Sequence, residues 1–189
     1  MIKELSEENQ KKIEKLVISK NFSEIEKLIF SLKKKEQENP FILNLLGVCK
    51  ISKRVSNQEI AKEEAKKSQE LFKKAYEKGL ILSGVSAGAV CWFEWILSDS
   101  MGGGFEPLKG INLVEGSCTP HSDNIERINE FGFNIKNNKL PKGVAIDDGV
   151  AVVFIDGKPT EVYSSINNHN AYFLDKNTKI NLKEYIKNI

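Results

Sequence analysis

Residues 82–100 read Leu-Ser-Gly-Val-Ser-Ala-Gly-Ala-Val-Cys-Trp-Phe-Glu-Trp-Ile-Leu-Ser-Asp-Ser and contain the pattern G-x-S-x-G at positions 84–88. The apolar run 80–82 before this pattern predicts a strand, and the run from Ala87 to Ile96 after it is compatible with a helix. A strand, a sharp turn and a helix form the context of a nucleophile elbow, in which Ser86 stands at the start of the helix. The pattern also occurs in ordinary glycine-rich turns, so it predicts a candidate nucleophile and needs further support.

A serine nucleophile needs a base, and the chain contains two histidines, His121 and His169. His121 lies in a polar loop just before a predicted helix. His169 lies in an Asn-rich turn, where a histidine is usually a surface residue. The sequence therefore favours His121 as the base.

A third group should orient the imidazole and stabilise its charged form. Asp99 follows the predicted elbow helix and is the preferred candidate. Asp123, Asp147 and Asp148 are rivals, although aspartates in loops commonly form turns or cap helices. For Asp147 and Asp148, which lie at a strand end, a turn is favoured over binding of a substrate amine.

Several segments in a fixed order resemble the S51 serine peptidases, the family of dipeptidase E and cyanophycinase. The resemblance covers residues from about 79 to 175. Its matching segments are Gly-Val-Ser-Ala-Gly-Ala at 84–89, Cys-Trp-Phe-Glu at 91–94, Leu-Ser-Asp-Ser at 97–100, Leu-Val-Glu-Gly-Ser-Cys-Thr-Pro-His at 113–121, Glu-Arg at 126–127 and Ala-Ile-Asp-Asp-Gly at 145–149.

The resemblance implies a serine peptidase with Ser86 as the nucleophile, His121 as the general base and Asp99 as the triad aspartate. It also implies an α/β fold, a doubly wound sheet related to class I glutamine amidotransferases. The implied substrates are short peptides with an acidic residue, or aspartate-rich polymers. No residue of this chain is assigned to substrate binding.

The sequence departs from the family's pattern before the serine. S51 enzymes place several strands there, with a Gly-Gly-Asn loop that supplies an oxyanion-hole N–H. This chain has no such loop, which leaves the Ala87 N–H as the predicted oxyanion donor. Loss of one donor costs about 3–4 kcal/mol of transition-state stabilisation in a well-studied serine protease.

Residues 1–78 predict helices, because strong helix formers dominate and apolar residues recur at helical spacing. We predict helices near 5–19, 23–37, 41–53 and 58–78, with Ser23 as one N-cap. Leu46-Gly47 and Phe72-x-x-Ala75 resemble the two helices of a tetratricopeptide repeat, so residues 5–78 are interpreted as TPR-like. The alternative is a plain amphipathic helical hairpin. The expected domains are this all-α segment, residues 1–78, and a partial S51-like α/β domain, residues 79–189.

The second half of the chain alternates apolar runs with turn signals. It predicts a strand at 111–114, a helix at 123–133, and further strands at 143–146, 150–155, 160–164 and 172–174. Asp156-Gly157 predicts a hairpin turn between two of these strands.

Composition narrows the class of protein. A net charge of +2, with lysines alternating with glutamates, argues against nucleic-acid binding. Cys49, Cys91 and Cys118 have no metal-ligand or disulfide spacing and indicate a reducing compartment. No signal peptide, membrane span, metal site or cofactor is predicted, so a cytoplasmic location is expected, and the sequence is compatible with an oligomer.

Two functions from different classes remain open at this stage. The first is an S51-type serine hydrolase joined to a helical repeat segment, acting on a short peptide. The second is a catalytically inactive interaction module that binds a protein partner through its TPR-like helices. A chain whose catalytic half folds only by borrowing strands from a partner is a further alternative.

Overall fold

The computed structural model describes residues 5–52, 58–100 and 102–187. The chain divides into two compact units, Met1–Leu82 and Ser83–Ile189. The first unit is helical and the second is a mixed α/β unit.

The helical unit confirms the helical prediction for the first half of the chain. Its helices are α1 (Glu7–Ile18), α2 (Phe22–Ser31), α3 (Lys34–Gln37), α4 (Pro40–Ile51) and α5 (Gln58–Glu77). Their apolar faces form one core around Ile13, Ile25, Ile29 and Ile42, which are at most 2% exposed. Burial of these faces stabilises helices that would be marginal in isolation.

Two details of the helix prediction are corrected. The segment 23–37 forms two helices, because residues 32 and 33 adopt extended backbone between α2 and α3. The N-cap of α2 is Asn21 and not Ser23, since the Asn21 side chain accepts from the Glu24 N–H. Residue 53, the predicted end of the third helix, lies outside the described residues.

Helices α4 and α5 pack against each other through Gly47 and Phe72, two of the residues that resemble a tetratricopeptide repeat. A Cβ atom at Gly47 would lie 2.8 Å from Cε1 of Phe72, so the ring packs directly against the α4 backbone. The Ser68 hydroxyl, fully buried, donates to the Gly47 carbonyl at 2.9 Å. The contact explains why Gly47 and Phe72 occur together in this hairpin.

A buried cation joins three helices of this unit. Lys50 Nζ on α4 lies 2.5 Å from Glu26 on α2 and 3.3 Å from Glu64 on α5, and all three side chains are at most 16% exposed. Burial alone would lower the pKa of Lys50, but the two carboxylates outweigh it and raise that pKa. The ammonium therefore stays charged and compensates both carboxylates.

We expect Lys50→Ala to lower the free energy of unfolding by about 2 kcal/mol, because it leaves two partly buried carboxylates without their shared cation. Denaturant unfolding followed by far-UV circular dichroism measures the change. The matched control is Lys27→Ala, whose exposed pair with Glu24 should contribute little to the free energy of unfolding. Equal losses in the two variants would contradict a central role for Lys50.

The elements of the α/β unit are α6 (Ala87–Val90), β1 (Phe93–Ser98), β2 (Glu106–Lys109), β3 (Val114–Thr119), α7 (Ile125–Lys136), β4 (Gly143–Ile146), β5 (Val150–Ile155), β6 (Lys158–Ser164), β7 (Ala171–Leu174), β8 (Lys179–Asn181) and α8 (Leu182–Lys187). Six of the strands form a mixed sheet in the order β2-β1-β3-β4-β7-β8, and the other two form a separate hairpin, β5-β6. β1–β3 and β3–β4 are parallel, and the other pairs are antiparallel.

Both faces of this sheet are covered. On one face α7 packs Ile128, Phe131 and Ile135 against side chains that include Leu97 of β1 and Ala145 of β4. The other face carries a core of Val144, Ala171 and Leu182, against which residues of the β5-β6 hairpin and of α8 pack. The edge of the sheet at the ends of the strands is not covered by these layers, so residues of neighbouring loops can meet there.

Three strand and helix predictions for residues 80–119 are wrong. The helix after Ser86 ends at Val90, and residues 93–98 form β1, because β1 finds hydrogen-bonding neighbours on both sides. Residues 80–82 form no strand, and Ile81 is 91% exposed. The strand predicted at 111–114 begins only at Val114 and runs to Thr119.

In the described ranges, no helix is both long enough and apolar enough to cross a membrane.

Candidate active site

Ser86 occupies the strained backbone conformation that a nucleophile elbow requires. Its φ and ψ are 53° and −122°, in a region that non-glycine residues rarely adopt. The turn is tight, since a Cβ atom at Gly84 would lie 2.1 Å from the Gly88 carbonyl oxygen. The helix that follows is a single turn, and the elbow is present although the strand expected before it is not.

The Ser86 hydroxyl and the His121 imidazole meet, as the sequence predicts. Ser86 Oγ lies 2.8 Å from His121 Nε2. The other ring nitrogen, Nδ1, is hydrogen-bonded to the Asp148 carboxylate. Because an ionised carboxylate only accepts, Nδ1 carries the proton and Nε2 accepts from the serine hydroxyl. This is the tautomer that a general base needs.

The carboxylate at the imidazole is that of Asp148, one of the rivals, and not that of Asp99. The prediction that Asp99 orients His121 is therefore corrected by the geometry. Asp148 lies two residues past the end of β4, and His121 lies two residues past the end of β3. β3 and β4 are parallel neighbours with Thr119 opposite Ala145, so their carboxyl ends bring both side chains to one edge.

Asp99 has a different partner. Its carboxylate accepts from Arg127 Nη2 at 2.7 Å, and Arg127 is 7% exposed while its guanidinium also lies 4.6 Å from the centre of the Phe105 ring. The hydrogen bond from Arg127 holds the pKa of Asp99 below its ordinary value. Asp99 thus compensates a buried cation at the start of α7.

His169, the other histidine, does not face the serine. Its Nδ1 is hydrogen-bonded to the Asp148 carbonyl oxygen at 2.8 Å, so this ring nitrogen is the donor. His169 therefore supports the segment that carries Asp148, and sequence reasoning missed this role.

The cysteines near the site are poor nucleophiles. Burial raises the pKa of Cys91 to about 11, and it raises that of fully buried Cys118 further. A thiol with such a pKa carries little thiolate near neutral pH, and the thiolate is the reactive form. Ser86 is thus the better candidate nucleophile.

The predicted oxyanion donor is available at the elbow. Ala87 is the first residue of α6, so its N–H has no acceptor within the helix, and the residue is exposed. The N–H groups of Gly88 and Ala89 are bonded to the carbonyls of Val85 and Ser86.

A cavity of about 500 Å³ lies away from these residues, at the amino end of β4. Its walls include Trp95, Leu140 and Lys142. The catalytic candidates lie beyond the carboxyl end of the same strand, so the cavity does not form part of their site, and the hydrogen-bonding geometry identifies the site better than the cavity does.

An α/β unit with a serine elbow, a histidine bonded to the serine and a carboxylate behind the imidazole has the features of a serine hydrolase. The profile described as Peptidase family S51 matches residues 60–162. That range is more than half of the chain, and the chain belongs to peptidase family S51. The match begins within α5, earlier than the resemblance at about residue 79 predicts, and ends before residue 175.

One curated relative is the "Uncharacterized peptidase YgaJ" of Bacillus subtilis (strain 168), which is 36% identical over 103 residues. The aligned region is 54% of this chain and 44% of that protein, so the chain spans less than half the length of this relative. No solved structure matches the chain.

Proposed function

We propose that this chain is a serine-type peptidase in which Ser86 attacks a peptide carbonyl. The observation that carries the proposal is the 2.8 Å hydrogen bond between Ser86 Oγ and His121 Nε2 at a serine with elbow backbone angles. Membership of a peptidase family supports the same reaction class.

The proposed reaction has two stages. His121 Nε2 takes the hydroxyl proton as Ser86 Oγ bonds to the carbonyl carbon, and the oxygen of that carbonyl becomes an oxyanion near the Ala87 N–H. The C–N bond then breaks as the imidazolium gives its proton to the leaving amine. Water, deprotonated by His121, hydrolyses the acyl-enzyme and regenerates the serine. Asp148 stabilises the imidazolium in both stages.

The finer parts of the proposal rest on the family resemblance. We take the substrate to be a short peptide with an acidic residue, as for dipeptidase E, in a cytoplasmic enzyme. The sheet is taken to be a partial form of the doubly wound, glutamine amidotransferase-like sheet. Among the described residues we assign Ala87 alone as an oxyanion donor, and turnover with one donor should be slower than with two by about 100-fold or more.

A fluorophosphonate probe tests the proposal without knowledge of the peptide. We expect the purified protein to form one covalent adduct, which peptide mass spectrometry places on Ser86. His121→Ala should slow adduct formation by more than about 1,000-fold, because the serine loses its base. Ser86→Ala gives the background, and Asp156→Asn, in the turn between β5 and β6, should retain adduct formation.

The outcome that contradicts the proposal is a folded protein, verified by circular dichroism, that forms no adduct at Ser86. That outcome would favour the second candidate, an interaction module. The packing of Phe72 against Gly47 in the α4–α5 hairpin supports a TPR-like interpretation of this candidate. In that case a protein partner would bind the helical unit and not the serine.

A further inference from the structure

A buried carboxylate lies directly beside the proposed catalytic residues and has no part in the proposed reaction. Asp147 is 7% exposed and its partner Ser122 is 4% exposed. Each is the chain neighbour of a catalytic candidate, Asp148 or His121. A carboxyl group is rarely buried unless its hydrogen bonds are satisfied, so the partners of Asp147 define its role.

Asp147 links three chain segments. The Ser122 hydroxyl donates to Asp147 Oδ1 at 2.5 Å, and the Asn170 N–H donates to Oδ2 at 2.9 Å. Backbone bonds follow the same path: the Ser122 N–H donates to the Ile146 carbonyl at 3.0 Å, and the Asp147 N–H donates to the Asn170 carbonyl at 3.1 Å. The loops after β3 and β4 and the turn before β7 are thereby held together.

A second set of bonds fixes the backbone of Asp148. Its N–H donates to Asp123 Oδ1 at 3.0 Å, and its carbonyl accepts from His169 Nδ1 at 2.8 Å. The bond from the Asp148 N–H is the main reason why the pKa of Asp123 is lowered. Residues 121–123, 147–148 and 169–170 therefore form one hydrogen-bonded cluster, which we call the loop clamp.

The catalytic candidates themselves receive little support from packing. The side chains of His121 and Asp148 are 42% and 54% exposed. His121 also has a φ of 53°, which surrounding contacts must maintain. Exposed side chains on loops hold a catalytic geometry only when neighbouring groups fix their backbones.

We propose that Asp147 is a positioning residue, which acts through the Ser122 and Asn170 bonds to hold His121 and Asp148 in register with Ser86. The inference rests on the proposed function, because it assigns a role within the same site. The side-chain hydrogen bonds of Asp147 go to Ser122 and Asn170, so it acts on Ser86 and His121 only through neighbouring segments.

Asp147→Asn and Ser122→Ala test this role. A displacement of about 1 Å at a catalytic group can cost about 100-fold in rate, so we expect fluorophosphonate labelling of Ser86 to slow by about 10- to 100-fold in each variant. The double variant should be little slower than the slower single variant, since both residues belong to the same hydrogen-bond network. The matched control Asp156→Asn, in the β5-β6 turn, should label at the wild-type rate.

An NMR readout separates positioning from a general loss of stability. In the wild type, the His121 Nδ1 proton, shielded from exchange by its bond to Asp148, should give a downfield signal that is absent in His121→Ala. We expect Asp147→Asn and Ser122→Ala to lose or broaden this signal while circular dichroism shows them folded. If both folded variants retain the signal and the wild-type labelling rate, or if the wild type lacks the signal, the inference is wrong.

The same measurements distinguish failure of the inference from failure of the proposed function. A wild-type protein with the His121 signal but no adduct at Ser86 refutes the hydrolase. The positioning role is then decided by the signal alone: its loss in Asp147→Asn supports the loop clamp, and its persistence overturns it.

Discussion

Asp148→Asn is expected to slow labelling of Ser86 by about 1,000- to 10,000-fold while leaving the fold intact. The Asp148 carboxylate accepts from His121 Nδ1 and so fixes the tautomer in which Nε2 accepts from the serine. An amide in its place can donate to Nδ1, which moves the ring proton to Nε2. The imidazole then donates towards Ser86 and cannot take the hydroxyl proton.

The matched control is Asp99→Asn, which alters the other aspartate that the sequence places in this site. Asp99 is bonded to Arg127 and not to the imidazole, so labelling should stay within about threefold of wild type while thermal stability falls. Adduct formation under pseudo-first-order conditions gives both rates. A large loss in Asp99→Asn with a small one in Asp148→Asn would contradict the assignment and restore Asp99 as the triad member.

The sequence was sufficient to pair Ser86 with His121 but not to choose the carboxylate. The serine and histidine lie in distinctive local patterns, a glycine elbow and a loop before a helix. The choice of Asp148 depends on the register of β3 against β4, which places the residues after both strands at one edge. Register is a long-range property, and an Asp-Asp-Gly segment by itself looks like an ordinary turn.

Strands and helices were predicted most accurately where the sequence pattern within the element itself favours one structure. β4 and β5 were predicted to the residue, because each is a short apolar run with turn residues on both sides. The sequence of β1 favours a helix, since its Phe-Glu-Trp-Ile-Leu run fits either period, and only pairing with β2 and β3 decides for a strand. In the helical unit, the apolar spacing predicts the helices, whereas the burial of Lys50 depends on the packing of α2 and α5 around it.

Residues 80–82 are a second case in which the local pattern does not decide the structure. Their apolar character favours a strand, but a strand exists only where its N–H and C=O groups find a neighbour. β1 is already paired with β2 on one edge and with β3 on the other. Residues 80–82 pair with no described strand, and the elbow keeps its shape through contacts of its own, above all the close approach of Gly84 to Gly88.

This close approach predicts that the two glycines of the G-x-S-x-G motif respond very differently to the same change. A Cβ atom at Gly84 would lie 2.1 Å from the Gly88 carbonyl oxygen and 2.3 Å from its carbon, both backbone atoms that cannot turn aside. At Gly88 an added Cβ meets nothing within 4 Å, and the residue lies in α6. The motif requires glycine at both positions, whereas in the structure only Gly84 lacks space for a Cβ atom.

We expect Gly84→Ala to open the elbow, displace Ser86 from His121 and slow fluorophosphonate labelling by about 100-fold or more. It should also lower the free energy of unfolding by about 1–3 kcal/mol, as overpacking does. Gly88→Ala is the matched control and should label at close to the wild-type rate, with unchanged or slightly higher stability because alanine favours the helix. Labelling rates together with denaturant unfolding of both variants give the comparison. Equal labelling by the two variants would mean that Ser86 does not depend on the tight turn, and the elbow would then have no part in presenting the serine.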